Sequence, residues 1–208
     1  MNIQQQKILD SVLACIAHDG WTPEAFAQGV KLSGISMAQA QKQFPQGIID
    51  IAEGFHATIN EAMLARISGK RNFVTMRVRD KVAFAVRARL EAIVDRREVM
   101  RRLLTWSLLP RNIRRATQHL WQAADAIWIA AGDTTTDYNH YTKRLLLIAV
   151  MKSTLSFWLN DKSPDCTETW AFLNRRLDDV MRIGKGINVI KTVGISDIAS
   201  FVKARFKG

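Results

Sequence analysis

The sequence predicts an all-α protein, and three observations carry that expectation. Apolar residues recur at i, i+3, i+4 and i+7 in one segment after another, no stretch alternates apolar and polar residues as a half-buried strand would, and helix-starting and helix-stopping residues fall between the periodic segments. The chain has 208 residues, 48% of them hydrophobic, which is enough to bury a substantial core.

The elements follow in order. Leu9, Val12, Leu13 and Ile16 form one stripe of a first helix, which Gly20 stops. Thr22 is an N-cap with Pro23 at the first helical position, opening a second helix to about Lys31. Ser33-Gly34-Ile35 reads as a tight turn, and Ser36 caps a short third helix ending near Phe44-Pro45-Gln46-Gly47. A fourth helix runs from about residue 48 to 68, followed by a connection at Gly69 and Lys70-Arg71-Asn72. Val82, Val86, Leu90, Ile93 and Val94 then mark one long amphipathic helix, with Arg87, Arg89, Arg96 and Arg97 mostly off its apolar stripe. Pro110 interrupts the pattern, and helical character resumes from Ile113 to Ala131 before Gly132. The polar run 133–137 supplies Asp133 and Asp137 as caps for a helix from 138 to about 159. Ser163-Pro164 starts a last core helix carrying Trp170, Phe172, Leu173, Leu177, Val180 and Met181, which Gly184 and Gly186 break. Beyond them Ile195, Ile198, Phe201, Val202 and Phe206 alternate with cations such as Lys203 in an amphipathic tail. The chain therefore divides into a three-helix module at 1–47, a connecting helix at 48–69, a larger helical module at 70–184 and the tail at 185–208.

The net charge of +11 comes from one region, since residues 66–115 hold 15 basic and four acidic residues. Such a surplus suits phosphate, in nucleic acid or lipid headgroups, and equally suits a solvated helix face. No apolar run approaches the roughly 20 residues of a membrane-spanning helix. The N-terminal Met1-Asn2-Ile3-Gln4-Gln5-Gln6 resembles neither a secretory signal nor an Arg-rich transit peptide, which predicts a bacterial cytoplasmic protein. Cys15 and Cys166 form no Cys-x-x-Cys element, so neither a disulfide framework nor a zinc knuckle is expected.

Catalysis is not expected, and no cofactor or metal is expected either. His18, His56, His119 and His140 are dispersed, and Glu53 with His56 makes a single Glu-x-x-His where a di-iron bundle needs two, with two further carboxylates. There is no Gly-rich phosphate loop, no nucleophile elbow and no context for a cysteine nucleophile.

Trp21-Thr22, Gly34-Ile35-Ser36, Phe44 and Gly47 sit at the spacing of the N-terminal helix-turn-helix of tetracycline-repressor-type regulators, and the architecture resembles theirs. The third helix, Met37-Ala38-Gln39-Ala40-Gln41-Lys42-Gln43, carries one cation and no aromatic, and residues 1–50 are close to neutral. Phosphate neutralisation supplies most of the affinity for DNA, so this head is a poor DNA binder. A ligand-responsive repressor of the tetracycline-repressor type remains the alternative, with the three glutamines as adenine readers.

A longer likeness begins at Leu120-Trp121-Gln122-Ala123-Ala124-Asp125-Ala126-Ile127-Trp128. It continues through Ala131-Gly132-Asp133, through Asp137-Tyr138-Asn139-His140-Tyr141-Thr142-Lys143-Arg144, and through Thr169-Trp170, Phe172-Leu173, Arg176, Asp179 and Met181. These stretches resemble the ubiquinone-biosynthesis Coq-nine family, with likeness from Gly20 to about Met181. The resemblance implies a homodimer that holds an isoprenoid lipid or quinone intermediate in its larger module. It also implies that the protein presents a surface patch to the demethoxyubiquinone hydroxylase, around Asp137, His140, Tyr141 and Arg144. The chain departs from the family at His140, where many members carry a larger aromatic.

The residues themselves supply an apolar set that fits a lipid site: Leu103, Leu104, Trp106, Leu108, Trp121, Trp128, Leu147, Met151, Phe157 and Trp158. Helix stripes fit a filled core and an apolar tunnel equally well. Asp125 between Trp121 and Trp128 reads as half of an ion pair with an arginine. The tail fits a membrane surface or the protein body, and the family resemblance favours the membrane, implying peripheral association with the inner membrane.

Overall fold

A computed structural model of the chain describes residues 1–136 and 138–192, apart from the side chains of Tyr138 and of residues 183–192. The expected residues Asp137, Ile195, Ile198, Phe201, Val202, Lys203 and Phe206 lie outside the described residues. Among those described there is no strand. The chain forms two compact units that divide between Asn160 and Asp161.

The first unit begins with three helices, α1 (Ile3–Asp19), α2 (Pro23–Ser33) and α3 (Met37–Gln43). Local chemistry sets their ends. Asn2 and Gln5 form a reciprocal capping box at the start of α1, and Gly20 ends it at φ 79°. Thr22 Oγ1 accepts from the Ala25 N–H at 3.1 Å ahead of Pro23. Gly34 ends α2 in the left-handed region at φ 70°, and Ser36 Oγ accepts from the Gln39 N–H to start α3. Ile8, Leu9, Val12, Leu13 and Ile16 of α1 are all buried, as their spacing requires.

Five further helices complete this unit: α4 (Ile48–Ser68), α5 (Val78–Glu91), α6 (Arg97–Ser107), α7 (Pro110–Ala131) and α8 (Tyr138–Asn160). The long helix expected from Val82 onward is in fact two. Ile93 leaves helical geometry at φ −124°, ψ 21°, a 3-10 turn spans Val94–Arg96, and α6 then starts at Arg97. Arginines hold this break. Arg96 Nη2 donates to Asp10 Oδ1 of α1 at 2.6 Å, and Arg97 Nη1 donates to the Trp158 carbonyl at 3.1 Å while its guanidinium lies 4.4 Å from the Trp158 ring. The helical pattern breaks before Pro110 as expected, between α6 and α7, and Pro110 itself begins α7, three residues earlier than expected, because a first-turn residue needs no N–H partner. The α6–α7 elbow is pinned by buried Asn112, whose Nδ2 donates to the Trp106 carbonyl at 2.9 Å.

The second unit opens with a 3-10 turn (Pro164–Cys166) and continues as α9 (Thr167–Thr192). Asp161 organises this start by accepting from the Ser163 N–H at 2.7 Å and from both the N–H and the hydroxyl of Thr169. Burial pushes the Asp161 carboxyl up, but those hydrogen bonds outweigh it and hold the group well below the usual carboxylate range. The break expected at Gly184 and Gly186 is absent, and α9 runs through both glycines to Thr192. A helical glycine costs only about 1 kcal/mol relative to alanine, so two of them weaken a helix without ending it.

Candidate functional site

The helices α4 to α8 line a partly open cavity of about 260 Å³. Its wall is aliphatic for most of its extent, with Ile59 from α4, Val86 and Leu90 from α5, Met100, Leu103 and Leu104 from α6, Ile113 and Leu120 from α7, and Met151 and Leu155 from α8. Leu108 of the elbow also lines it. Drug-sized pockets run from roughly 300 to 1,000 Å³, so this one fits a segment of a long apolar chain rather than the whole of it.

Four of the ten residues expected at a lipid site line this wall: Leu103, Leu104, Leu108 and Met151. The others lie outside it. Trp106 packs against Trp21 with ring centroids 5.7 Å apart, and Trp21 Nε1 donates to the Val99 carbonyl at 3.3 Å. Trp128 Nε1 donates to the Lys143 carbonyl at 3.1 Å, and Trp121 stands against His140 and Tyr141. Trp158 is buried under Arg97, Leu147 is buried away from the wall, and Phe157 is half-buried. Indoles were the most conspicuous apolar residues in the sequence. A buried indole needs a partner for its N–H, which draws it toward backbone carbonyls and away from an aliphatic void.

Two polar residues of the wall were not anticipated. Arg89 is 9% exposed, and its Nη1 is hydrogen-bonded to Asn60 Oδ1. The sequence places it off the apolar stripe, yet it follows Val86 by three and Val82 by seven, which is the buried face. Burial lowers its guanidinium to about 10. His56 is stacked on His119 at 4.4 Å, and its Nδ1 is buried without a hydrogen-bond partner. Burial, then His119 and Arg89, push His56 down to about 3, so it is neutral at ordinary pH. His56 also lines a second, polar cavity of about 310 Å³ with Glu53, Asn60, Arg115, Gln118, His119 and Gln122. Glu53 is exposed and pairs with Arg115 at 3.7 Å, and no group of three metal-ligating side chains occurs among the described residues.

A separate cluster lies at the α7–α8 turn. Arg144 is 2% exposed and is fully engaged: Nε donates to Asp125 Oδ1 at 2.6 Å, and Nη1 donates to Asp133 Oδ2 at 3.3 Å and to the His140 carbonyl at 3.1 Å. The ion pair expected of Asp125 is thus made with Arg144. Asp133 accepts from Lys143 Nζ at 2.7 Å and from Thr135 Oγ1, and these bonds with Arg144 outweigh a burial that would raise it, leaving its carboxyl below the usual range. Above this cluster Tyr141 is 57% exposed, edge-on to His140 at 5.2 Å. Ile129 and Leu145 are exposed as well, at 62% and 59%.

Comparison with known proteins fits this arrangement. A family described as COQ9 matches residues 113–184, which include most of α7, all of α8 and the Arg144 cluster. The human protein "Ubiquinone biosynthesis protein COQ9, mitochondrial" is 31% identical over 91% of this chain and 61% of its own length, and the rat protein of the same name is 32% identical over 91% and 62%. "Ubiquinone biosynthesis protein COQ9-B, mitochondrial" of Xenopus laevis is 30% identical over 96% of this chain and 70% of its own length. The chain spans about three fifths of the length of the first two. Among solved structures, a TetR transcriptional regulator from Nitrosomonas europaea superposes with a TM-score of 0.69 over 85% of this chain and 97% of its own, at 16% identity. That likeness concerns the fold, which is all-α and tetracycline-repressor-like.

Proposed function

The chain belongs to the COQ9 family, and from that premise we propose that it is a non-catalytic accessory protein of ubiquinone biosynthesis that binds an isoprenoid lipid or quinone intermediate. The observation that carries this reading is the aliphatic cavity within α4 to α8. An isoprenoid chain offers only apolar surface, and burying it is favourable by about 25 cal/mol per Å². The wall supplies that surface from Leu103, Leu104, Leu108 and Met151, joined by Ile59, Val86, Leu90 and Leu120.

The protein would act as a homodimer associated peripherally with a membrane, on the cytoplasmic face of a bacterial inner membrane, and would present its lipid to the demethoxyubiquinone hydroxylase. No described helix is long and apolar enough to cross a bilayer. Membrane contact is assigned to Ile195, Ile198, Phe201, Val202, Lys203 and Phe206. For the hydroxylase, Tyr141 with half-buried His140 offers an outward aromatic edge, and the Arg144 cluster holds that edge in position from below. No DNA partner is assigned, because the exposed residues of α3 include a single cation, Lys42.

Native mass spectrometry of the full chain, purified without detergent and followed by organic extraction, tests the central claim. Wild-type protein is expected to carry a quinone, isoprenoid or other lipid. Ala116→Phe, which fills the cavity, is expected to lose it while keeping its helical circular dichroism. An empty wild-type protein, or a variant as fully loaded as wild type, overturns the assignment.

A further inference from the structure

Arg89 is the unusual member of the cavity wall. A buried guanidinium is costly unless it meets a carboxylate or another anion, because desolvation of a charge costs several kcal/mol or more even after relaxation. Among the described residues its hydrogen-bond partner is the neutral amide of Asn60, and no carboxylate pairs with it. The nearby carboxylate of Glu53 is turned to Arg115. His56 stands beside Arg89 on the same wall, with a buried Nδ1 that has no partner. His56 is shared with the polar cavity, whose lining adds the amides of Gln118 and Gln122. The apolar cavity thus has one end where a positive charge and an unused nitrogen meet a chamber of hydrogen-bonding groups.

This arrangement is complementary to an amphiphile with a negatively charged end. The aliphatic wall takes the chain, and the charged oxygen supplies Arg89 with the counter-ion that the fold omits. Guanidinium groups bind carboxylate and phosphate oxygens through paired, charge-assisted hydrogen bonds, which are roughly twice as strong as neutral ones. A neutral head, an alcohol for instance, would satisfy the hydrogen bond and leave the charge. Lys152 also lines the cavity, but it is exposed and hydrated, so its charge does not require a buried partner.

We propose that the cavity selects lipids bearing an anionic oxygen group, a carboxylate or a phosphate monoester, and that Arg89 beside His56 is the group that reads the charge. This rests on the lipid-binding reading above and specifies the ligand class of the same cavity.

The experiment is calorimetric titration of the full chain at neutral pH with three probes of one tail, oleic acid, oleyl phosphate and oleyl alcohol, and with inorganic phosphate as a head without a tail. Wild-type protein is expected to bind oleate or oleyl phosphate at least about tenfold more tightly than oleyl alcohol, and inorganic phosphate not measurably. Arg89→Gln is expected to lose the preference while still binding oleyl alcohol. Arg89→Lys and Lys152→Gln are expected to keep it. Equal affinity of wild-type protein for the charged and neutral probes overturns the proposal and leaves lipid binding standing, and so does a preference that survives in Arg89→Gln or vanishes in Lys152→Gln. Inorganic phosphate binding as tightly as oleyl phosphate also overturns it, since the site would then be for free anions. Failure of all three oleyl probes overturns lipid binding itself. The wild-type comparison decides the proposal even if Arg89→Gln does not fold.

Discussion

Arg144 and His56 show two opposite ways of keeping an ionisable group inside this protein. Arg144 is paired with both Asp125 and Asp133, and one ammonium could not reproduce its fork of donors. His56 stays neutral because burial disfavours its charged form, and His119 and Arg89 oppose a second positive charge. The consequence is a pH dependence of known sign. The folded-state value of His56, about 3, lies below the 6.5 of an unperturbed histidine, so its neutral form is native above pH 6.5. As pH falls from 6.5 toward 3 the unfolded chain takes up a proton that the folded chain refuses, and stability declines. Asp133 adds a loss in the same direction but in a lower window, below the 3.8 of an ordinary aspartate. His56→Gln is therefore expected to flatten the stability profile between pH 6 and pH 4.5, measured by urea unfolding, without changing the steeper fall at lower pH. A profile in the variant as steep as in wild type between those values would contradict a buried neutral His56.

Among the helices, the packing of α1 on α2 is the tightest constraint. A Cβ placed on Gly29 would sit 2.4 Å from the Val12 Cα, in backbone rather than in a flexible side chain, so neither helix can yield without moving whole. Gly29→Ala is expected to destabilise the protein by about 2 kcal/mol or more, seen as a lower midpoint in thermal unfolding, although alanine is the better helix former. In α9 the helix continues through Gly184 and Gly186. Sequence spacing alone does not reveal the role of Gly29, because the neighbour that makes it necessary is 17 residues away on another helix. The break between α5 and α6 has the same character. Nothing local to Ile93 stops a helix, and the partners that hold the turn, Asp10 and the Trp158 carbonyl, come from α1 and α8.

Across the whole first unit, α7 and α8 contribute both to the cavity wall and to the exposed surface, where Tyr141, Leu145 and Ile129 are solvent-facing. The exposed patch contributes little to the core, so its residues are free to serve recognition. On the proposed hydroxylase-presenting role, Tyr141→Ala is expected to leave stability within about 0.5 kcal/mol of wild type and to weaken that binding at least about tenfold, measured by surface plasmon resonance with purified hydroxylase. Unchanged affinity would remove this surface from the interface.

Most helix ends were legible in the sequence, and they are the ones whose causes are local. Asn2, Thr22 and Ser36 cap the first turns they precede, and Gly20, Gly34 and Gly132 take up the positive φ at which helices stop. The pairing of Asp125 with an arginine was legible too, since a carboxylate between two tryptophans on an apolar helix needs a cation. Only the tertiary structure decided which apolar residues fill the core and which line a void, and that Arg89 faces inward without a carboxylate. Helical periodicity states which face of each helix is buried. It carries no information about what the other helices bring to that face, and the cavity of this protein is made by what five of them leave between one another.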